Sequence, residues 1–400
     1  LMATSAMAED TIKIAFIDPL SGPFASTGSN GLREWEFAVE DLVNSRGGLL
    51  GGKKIEIIAF DNKISPKETL IQLKNAIGQG IQYVAQGNSS GVANALTSAI
   101  KKHNKRNPDK RVIHLNYAAV DPALTNDKCS FWHFRFDANV DMKMNAITDT
   151  IAARKDVKKV YIIGQDYSFG KAVSAAAKRF LKAKRPDIEI VGDELHPIGK
   201  VKDFTPYVTK IKAAGADAII TGNWGGDMLN LAKAATSVGL DSSFFTYYAA
   251  GAGITAALGP VAKDKVFNVS EGHFNPTVTA VWDDYFTRFN AKHPGKDITY
   301  GRIPYTVRMF AKAVSKAGSA KPIDVAMALE GMELTTLAGD KIKMRAEDHQ
   351  LIMPIQVSVH TDERIKWEFD NSGWGHRTIS STPAESNALP TTCKMKRPKA

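Results

Sequence analysis

The sequence predicts an α/β protein of two similar doubly wound lobes, each built on a parallel sheet. Three observations carry this. Short apolar runs of strand length alternate with amphipathic stretches, as they do when helices cover both faces of a parallel sheet. The alternation is run twice, with a break near "SFWHFRF" at 130–136. Finally, 400 residues with 44% hydrophobic and 24% charged content are enough to bury more than one core.

In the first series "TIKIAFID", "KIEIIAFD", "IQYVAQG" and "RVIHLNY" read as strands, with helical segments near 28–46, 66–79 and 90–104. The third helix shows the logic. Val92, Leu96, Ala99 and Ile100 fall at i, i+4, i+7 and i+8, one stripe able to face a sheet, and Ser90 is the expected N-cap. The second series has strands at "KKVYIIGQD", "DIEIVGDEL", "ADAIITGN", "SSFFTYY" and "KVFNVSEGH", with helices at 168–184, 205–214 and 227–238. Helices dominate from about 277 to 331, and a β-rich "MPIQVSVHTDERIKWEFD" precedes a tail containing Ser, Thr and Pro.

In open parallel sheets, ligands sit beyond the carboxyl ends of the strands. Those ends read "DPLSGPFASTG", "GNSSG" and "NYAAVDP" in the first series, and "GQDYSFG", "TGNWGGD" and "TYYAAGAG" in the second. Gly, Ser and Ala in the first set let backbone N–H groups approach an oxyanion while hydroxyls add donors, the chemistry of a carboxylate clamp. Candidate ligand contacts there are Phe24, Thr27, Ser89, Ser90, Gly91, Ala118, Ala119 and Val120. The second set supplies flat amphipathic side chains suited to an apolar or aromatic ligand body: Tyr167, Phe169, Trp224, Tyr247 and Tyr248, with Asn223 beside them and His273 at a further strand end.

Other chemistries are weighed on the same residues. Gly87-Asn88-Ser89-Ser90-Gly91 matches the G-x-S-x-G of a hydrolase nucleophile elbow, which makes Ser89 a candidate nucleophile. No HGGG-like oxyanion loop precedes it, and a second βα series is more than a lid requires. Gly164 and Gly170-Lys171 imitate a phosphate loop with five residues between the glycines where four are needed, and Ala172 stands where Ser or Thr would hold magnesium. No G-x-G-x-x-G follows the first strand and no histidines or cysteines have metal-ligand spacing, so neither cofactor nor metal is expected.

The net charge of +10, from 52 Lys and Arg against 42 Asp and Glu, raises nucleic acid as a partner. The densest run, "KKHNKRNPDKR" at 101–111, lies between a helix and a strand without interleaved aromatics and reads as a solvated loop, so none is expected. No apolar run approaches the roughly 20 residues a membrane-spanning helix needs, and membrane insertion is not expected. "LMATSAMAED" has the A-x-A tail of a secretory signal peptide, which predicts export with cleavage after Ala8. Cys129 and Cys393 are too few for a disulfide framework; in an oxidising compartment they either pair, tying the C-terminal tail to the first half, or stand as two unrelated buried thiols.

From about residue 11 to 370 the chain resembles the substrate-binding proteins of branched-chain amino-acid-type ABC transporters, the type I periplasmic binding fold. The resemblance rests on "IKIAFIDPLSGPFASTG", "SRGGLLGGKKIEIIAFDNKISPKE", "NYAAVDPALT", "QDYSFGKA" and "GADAIITGNWGGDM". It implies two lobes joined by a three-strand hinge that close over a ligand and present it to a membrane permease, without catalysis and as a monomer in the periplasm. It implies lobe 1 from residues 9–134 and 274–350, lobe 2 from 135–273 and 351–385, a leader remnant over 1–8 and a tail over 386–400. By the same resemblance Ser90, with Ser89 beside it, and the Ala118-Ala119-Val120 segment hold the ligand carboxylate; Val120 stands where threonine is usual, so only its backbone can serve. The acid that holds an amino acid's ammonium corresponds to Ala249, leaving Asp227 as the alternative partner. The expected ligand is therefore a small aromatic or branched carboxylate without an α-amino group; a branched-chain or other hydrophobic amino acid is the alternative.

Overall fold

The structure is a computed structural model that describes residues 11–398. The expected leader and its cleavage after Ala8 lie outside the described residues.

Five strands, β1 (Ile12–Asp18), β2 (Ile55–Asp61), β3 (Tyr83–Gln86), β4 (Ile113–Asn116) and β5 (His133–Arg135), form one parallel sheet in the order β2-β1-β3-β4-β5. Six of the seven residues of β1 are buried, which is what a strand covered on both faces requires of its sequence. Helices α1 (Ala25–Leu42), α2 (Pro66–Gly78) and α3 (Ser90–Arg106) are the crossovers. Ser89, not Ser90, caps α3: its Oγ accepts the Val92 N–H at 3.4 Å. Val92, Leu96 and Ile100 are buried along one stripe, with Ala99 partly buried against the same core.

The second sheet has seven strands in the order β15-β14-β10-β9-β8-β6-β7. β6 (Lys159–Gln165), β7 (Glu189–His196), β8 (Ala218–Thr221), β9 (Ser243–Thr246) and β10 (Val266–Ser270) run parallel, with α4 (Val140–Ala152), α5 (Ser168–Lys184), α6 (Thr205–Ala213), α7 (Gly225–Val238) and α8 (Ile254–Leu258) around them. Helices α9 (Ala280–Lys292), α10 (Ile303–Ala317) and α11 (Pro322–Leu329) follow, with α10 packed on α1 of the first lobe. A small antiparallel sheet of β11 (Glu333–Thr335), β12 (Lys341–Met344) and β13 (Leu351–Ile352) was not anticipated, its strands being only two to four residues long. β14 (Ile355–Thr361) and β15 (Gly375–Thr382) then join the second sheet antiparallel, so that sheet is mixed at one edge. β14 enters from the other lobe and turns back as a hairpin, a connection that parallel pairing would forbid.

The chain passes between the sheets after β5, after β10 and after β13. Arg135 joins the first and third passages: its fully buried guanidinium donates to Gln350 Oε1 at 2.7 Å and to the Asp121 carbonyl at 2.6 Å, while Gln350 Nε2 donates to the Asp137 carbonyl at 2.8 Å. A fourth link follows β15. The tail returns to the first lobe, where Cys393 is bonded to Cys129 with Cα atoms 5.8 Å apart and Thr391 Oγ1 donates to the Thr125 carbonyl at 2.8 Å. No helix among the described residues is long and apolar enough to cross a membrane.

Candidate ligand-binding site

The carboxyl ends of both sheets face one cleft, and the first lobe builds its wall from backbone. Asp18 ends β1 fully buried; Oδ1 accepts the Asn88 N–H at 2.9 Å, and Oδ2 accepts the Gly87 N–H at 3.1 Å and the Tyr117 hydroxyl at 2.5 Å. Burial pushes the Asp18 carboxyl up to about 7, against the pull of these hydrogen bonds. A Cβ on Gly87 would lie 2.8 Å from both the Tyr117 ring and Ala118 Cβ, so the turn needs glycine there. Held by this grip, Ser89 adopts φ +78°, a strained value for a residue with a side chain. Beyond it, the first-turn N–H groups of Ser90 and Gly91 have no intrahelical acceptor and sit at the positive end of α3.

Asn116, at the end of β4, organises the neighbouring loop. Its Oδ1 accepts the N–H groups of Ala118 at 3.2 Å and Ala119 at 2.8 Å. Those two N–H groups are therefore spoken for, which corrects their expected part in holding a carboxylate; Val120 N–H alone of the three has no acceptor among the described residues. Ser90 Oγ accepts the Asp121 N–H at 3.2 Å, which leaves its proton for an anion. Ser89 Oγ accepts the Val92 N–H, and among the described residues no histidine hydrogen-bonds it.

The second lobe builds its wall from rings. Tyr167 and Trp224 directly precede α5 and α7, and Trp224 Nε1 donates to Tyr167 Oη at 2.9 Å. Phe169 meets Tyr247 edge to face at 5.6 Å between centroids, and the Tyr247 hydroxyl donates to the Val140 carbonyl at 2.9 Å. The lobes touch at the mouth, where Phe24 and Trp224 lie 4.3 Å apart between ring centroids.

A cavity lies between these walls. Thr27, Ser89, Ser90, Ala118, Ala119 and Val120 line it from the first lobe; Tyr167, Phe169, Trp224, Tyr247 and Tyr248 line it from the second. Four expected contacts lie outside the lining. Phe24 is spent on Trp224 across the mouth. Gly91 lies just behind Ser89, 3.6 Å from its Oγ to the Cβ a side chain would add. Asn223 Oδ1 faces His196 Nε2 at 3.0 Å beneath the wall. His273 turns to Thr378 Oγ1 at 3.0 Å, half-buried, and burial lowers its pKa. Asp227 is also diverted: Oδ2 accepts Gln165 Nε2 and the Gly199 N–H, both at 2.8 Å, so it does not serve an ammonium in the cavity. Ala249 packs in the core of the second lobe, while its neighbours Ala250, Gly251 and Ala252 line the cavity.

The sequence reading missed a polar pole on the hinge side. Glu271 and Arg302 line the cavity and form an ion pair, extended by Asp137 and Lys143. Lys143 Nζ lies 2.9 Å from Asp137 Oδ1 and 3.8 Å from Glu271 Oε2. Burial alone would raise the Glu271 carboxyl, but Arg302 and Lys143 hold it below its usual range. Glu271 directly follows β10, so the strand-end rule reached its segment and stopped two residues further on, at His273. Arg302, at the start of α10, carries no such signal, because a passage between lobes brings it in.

Two lobes closing on a cavity with an anion-binding wall and an aromatic wall define a solute-binding receptor. Residues 11–362 match the periplasmic binding protein family, and the chain belongs to it. It is 31% identical over 407 residues to Leu/Ile/Val-binding protein homolog 4 of Brucella melitensis, covering 100% of this chain and 96% of that protein. The crystal structure of the leucine-, isoleucine-, valine-, threonine-, and alanine-binding protein from Brucella ovis, in a closed conformation, superposes with a TM-score of 0.84 at 30% identity, covering 97% of this chain and 100% of that one. A solute-binding protein of an R. palustris ABC transporter in complex with benzoate superposes with a TM-score of 0.79 at 18% identity over 96% of this chain and 99% of that one, a likeness of fold. The protein is thus an extracytoplasmic binding receptor of an ABC transporter.

Proposed function

We propose that the receptor captures a small organic carboxylate with an aromatic or branched apolar body and no α-amino group, and that lobe closure presents it, from a monomer, to the permease. The carboxylate meets the Ser90 hydroxyl and the free N–H groups at the start of α3 and at Val120; the body lies against Tyr167, Phe169 and Trp224. One observation carries the reading. Glu271 is the single acid lining the cavity among the described residues, and Arg302 already neutralises it, so an ammonium there would be buried without a free counter-charge. That the benzoate complex shares this fold supports an aromatic acid; the Leu/Ile/Val names of the relatives favour the second reading, an amino acid whose ammonium competes for Glu271.

Calorimetry in one buffer separates the two. Leucine and phenylalanine are compared with 4-methylpentanoate and 3-phenylpropanoate, and the deaminated acids are expected to bind more tightly. Tighter amino acids overturn the proposal in favour of the second reading. The lobes assigned to 9–134 with 274–350 and to 135–273 with 351–385 are expected to close on ligand, giving a smaller radius of gyration by small-angle scattering.

A further inference from the structure

The hinge-side wall holds polar atoms that neither the fold nor the carboxylate clamp uses. Four tyrosines line the cavity, and three have hydroxyls engaged within the protein: Tyr167 accepts from Trp224, Tyr247 donates to the Val140 carbonyl, and Tyr300 donates to Asn88 Oδ1 at 3.0 Å. The Tyr248 hydroxyl alone has no hydrogen-bond partner among the described residues. Its ring lies under Lys143, with Nζ 5.2 Å from the centroid, which places it at the ion-pair cluster. Arg302 spends Nε on the Tyr117 carbonyl and Nη1 on Glu271 Oε1, while Nη2 has no partner among the described residues. Glu271 Oε2 lies 3.8 Å from Lys143 Nζ, beyond hydrogen-bond reach, and has no side-chain hydrogen-bond donor among the described residues.

These atoms have complementary polarity. Glu271 Oε2 is a charged acceptor, Arg302 Nη2 a charged donor, and the Tyr248 hydroxyl either. A hydrocarbon body seated against them would desolvate all three without compensation. An ammonium offers donors only and leaves Arg302 unanswered; a second carboxylate offers acceptors only and is repelled by Glu271. A hydroxyl has one donor and two acceptor lone pairs, which matches the set.

Resting on the reading that a carboxylate is held at the start of α3, we propose that Tyr248, Glu271 and Arg302 form a specificity subsite for a hydroxyl on the body of the ligand. That hydroxyl donates to Glu271 Oε2 and accepts from Arg302 Nη2 and Tyr248. The subsite selects hydroxylated acids over their hydrocarbon parents, and it accounts for an ion pair left partly open in a site otherwise walled with rings.

The test is calorimetry with benzoate against its 2-, 3- and 4-hydroxy isomers, and 3-phenylpropanoate against 3-(4-hydroxyphenyl)propanoate. At least one hydroxy acid is expected to bind about tenfold or more tightly than its parent, because a site built to hydrogen-bond a hydroxyl discriminates strongly against its absence. Tyr248→Phe and Glu271→Gln are each expected to cut that preference, read as the ratio of hydroxy acid to parent acid within the same variant, by roughly threefold or more. Tyr248→Phe removes no internal hydrogen bond, so it carries the test even if Glu271→Gln fails to fold. Acids that bind with no hydroxyl preference, or a preference that survives Tyr248→Phe, overturn the subsite and leave the carboxylate reading standing. Failure of every acid, with or without a hydroxyl, overturns both.

Discussion

The two walls of the cleft are made differently. The first lobe presents main-chain groups whose positions are fixed by buried side chains behind them: Asp18 holds Gly87 and Asn88, Asn116 holds Ala118 and Ala119, and Glu34 accepts the Thr299 N–H at 2.8 Å and the Tyr300 N–H at 3.1 Å. The second lobe presents aromatic side chains that hold one another. The contrast follows from what each must grip. An anion is stabilised by dipoles aimed before it arrives, and aiming a backbone requires partners behind it. An apolar body needs only surface, which rings supply and can adjust. Strain accordingly gathers in the first wall, at Ser89, and the orphaned hydroxyl in the second, at Tyr248.

The comparison is broken most severely at the link between the lobes. The Cys129–Cys393 bond closes a loop of 264 residues and pins a tail that leaves the second lobe for the first. In the chain-entropy picture a loop of that size is worth about 5.6 kcal/mol, with measured bridges commonly at about 2–4. The Cys129→Ser, Cys393→Ser double variant is therefore expected to lose about 3–5 kcal/mol in denaturant unfolding. A loss under about 1 kcal/mol would show that the tail is a passive appendage.

Next comes the first wall itself. Asp18→Ala leaves the Gly87 and Asn88 N–H groups and the Tyr117 hydroxyl without their acceptor in a buried site, and about 3 kcal/mol of stability is expected to go with it. Tyr167→Phe removes one hydrogen bond, from Trp224, and is expected to cost only about 1 kcal/mol. Equal losses in the two variants would erase the distinction between a braced wall and an adjustable one. Ser90→Ala acts on ligand more than on fold: affinity for a bound carboxylate is expected to weaken by about 1–3 kcal/mol, since a charge-assisted hydrogen bond loses its donor. Unchanged affinity by calorimetry would displace the clamp from the start of α3.

What was legible in the sequence follows the same division. Repeated apolar runs and the Gly and Ser at strand ends exposed the α/β architecture, the first wall and the ring positions, because those signals are local. The braces behind the first wall were invisible: Asp18 is one acid among 42 acidic residues until the fold places it under Gly87. Glu271 and Arg302 are 31 residues apart and meet only because the chain passes twice near the hinge. Phe24 looked like a ligand contact, and only the approach of the other lobe assigns it to Trp224. The antiparallel β14–β15 edge was hidden for the same reason, since its pairing depends on where the chain re-enters the second lobe.

The last prediction concerns protons, and it too separates the walls. Burial raises Asp18 to about 7 and Glu34 to about 8, whereas it lowers His114 to about 3 and His133 well below its usual value. A raised carboxyl contributes stability that is present below its unfolded pKa and lost as pH rises through the folded one; for Glu34 that window runs from 4.5 to about 8. A lowered histidine contributes stability present above its unfolded pKa of 6.5 and lost as pH falls; for His114 the loss runs down to about 3. Between about pH 4.5 and 6.5 these two acids gain, and these two histidines lose, about 1.4 kcal/mol per unit each as pH falls, so the four groups offset one another there. Above pH 6.5 the histidines' contribution fades over the next unit and the acids dominate. Stability is expected to drop by about 1–2 kcal/mol from pH 6.5 to 7.5, and by less than about 1 kcal/mol in Glu34→Gln, where one acid is gone. Denaturant unfolding at the two pH values reads the difference. Equal slopes in wild type and variant would mean that Glu34 does not carry a proton in the folded state at neutral pH, and that the first wall is braced by a carboxylate rather than by its acid.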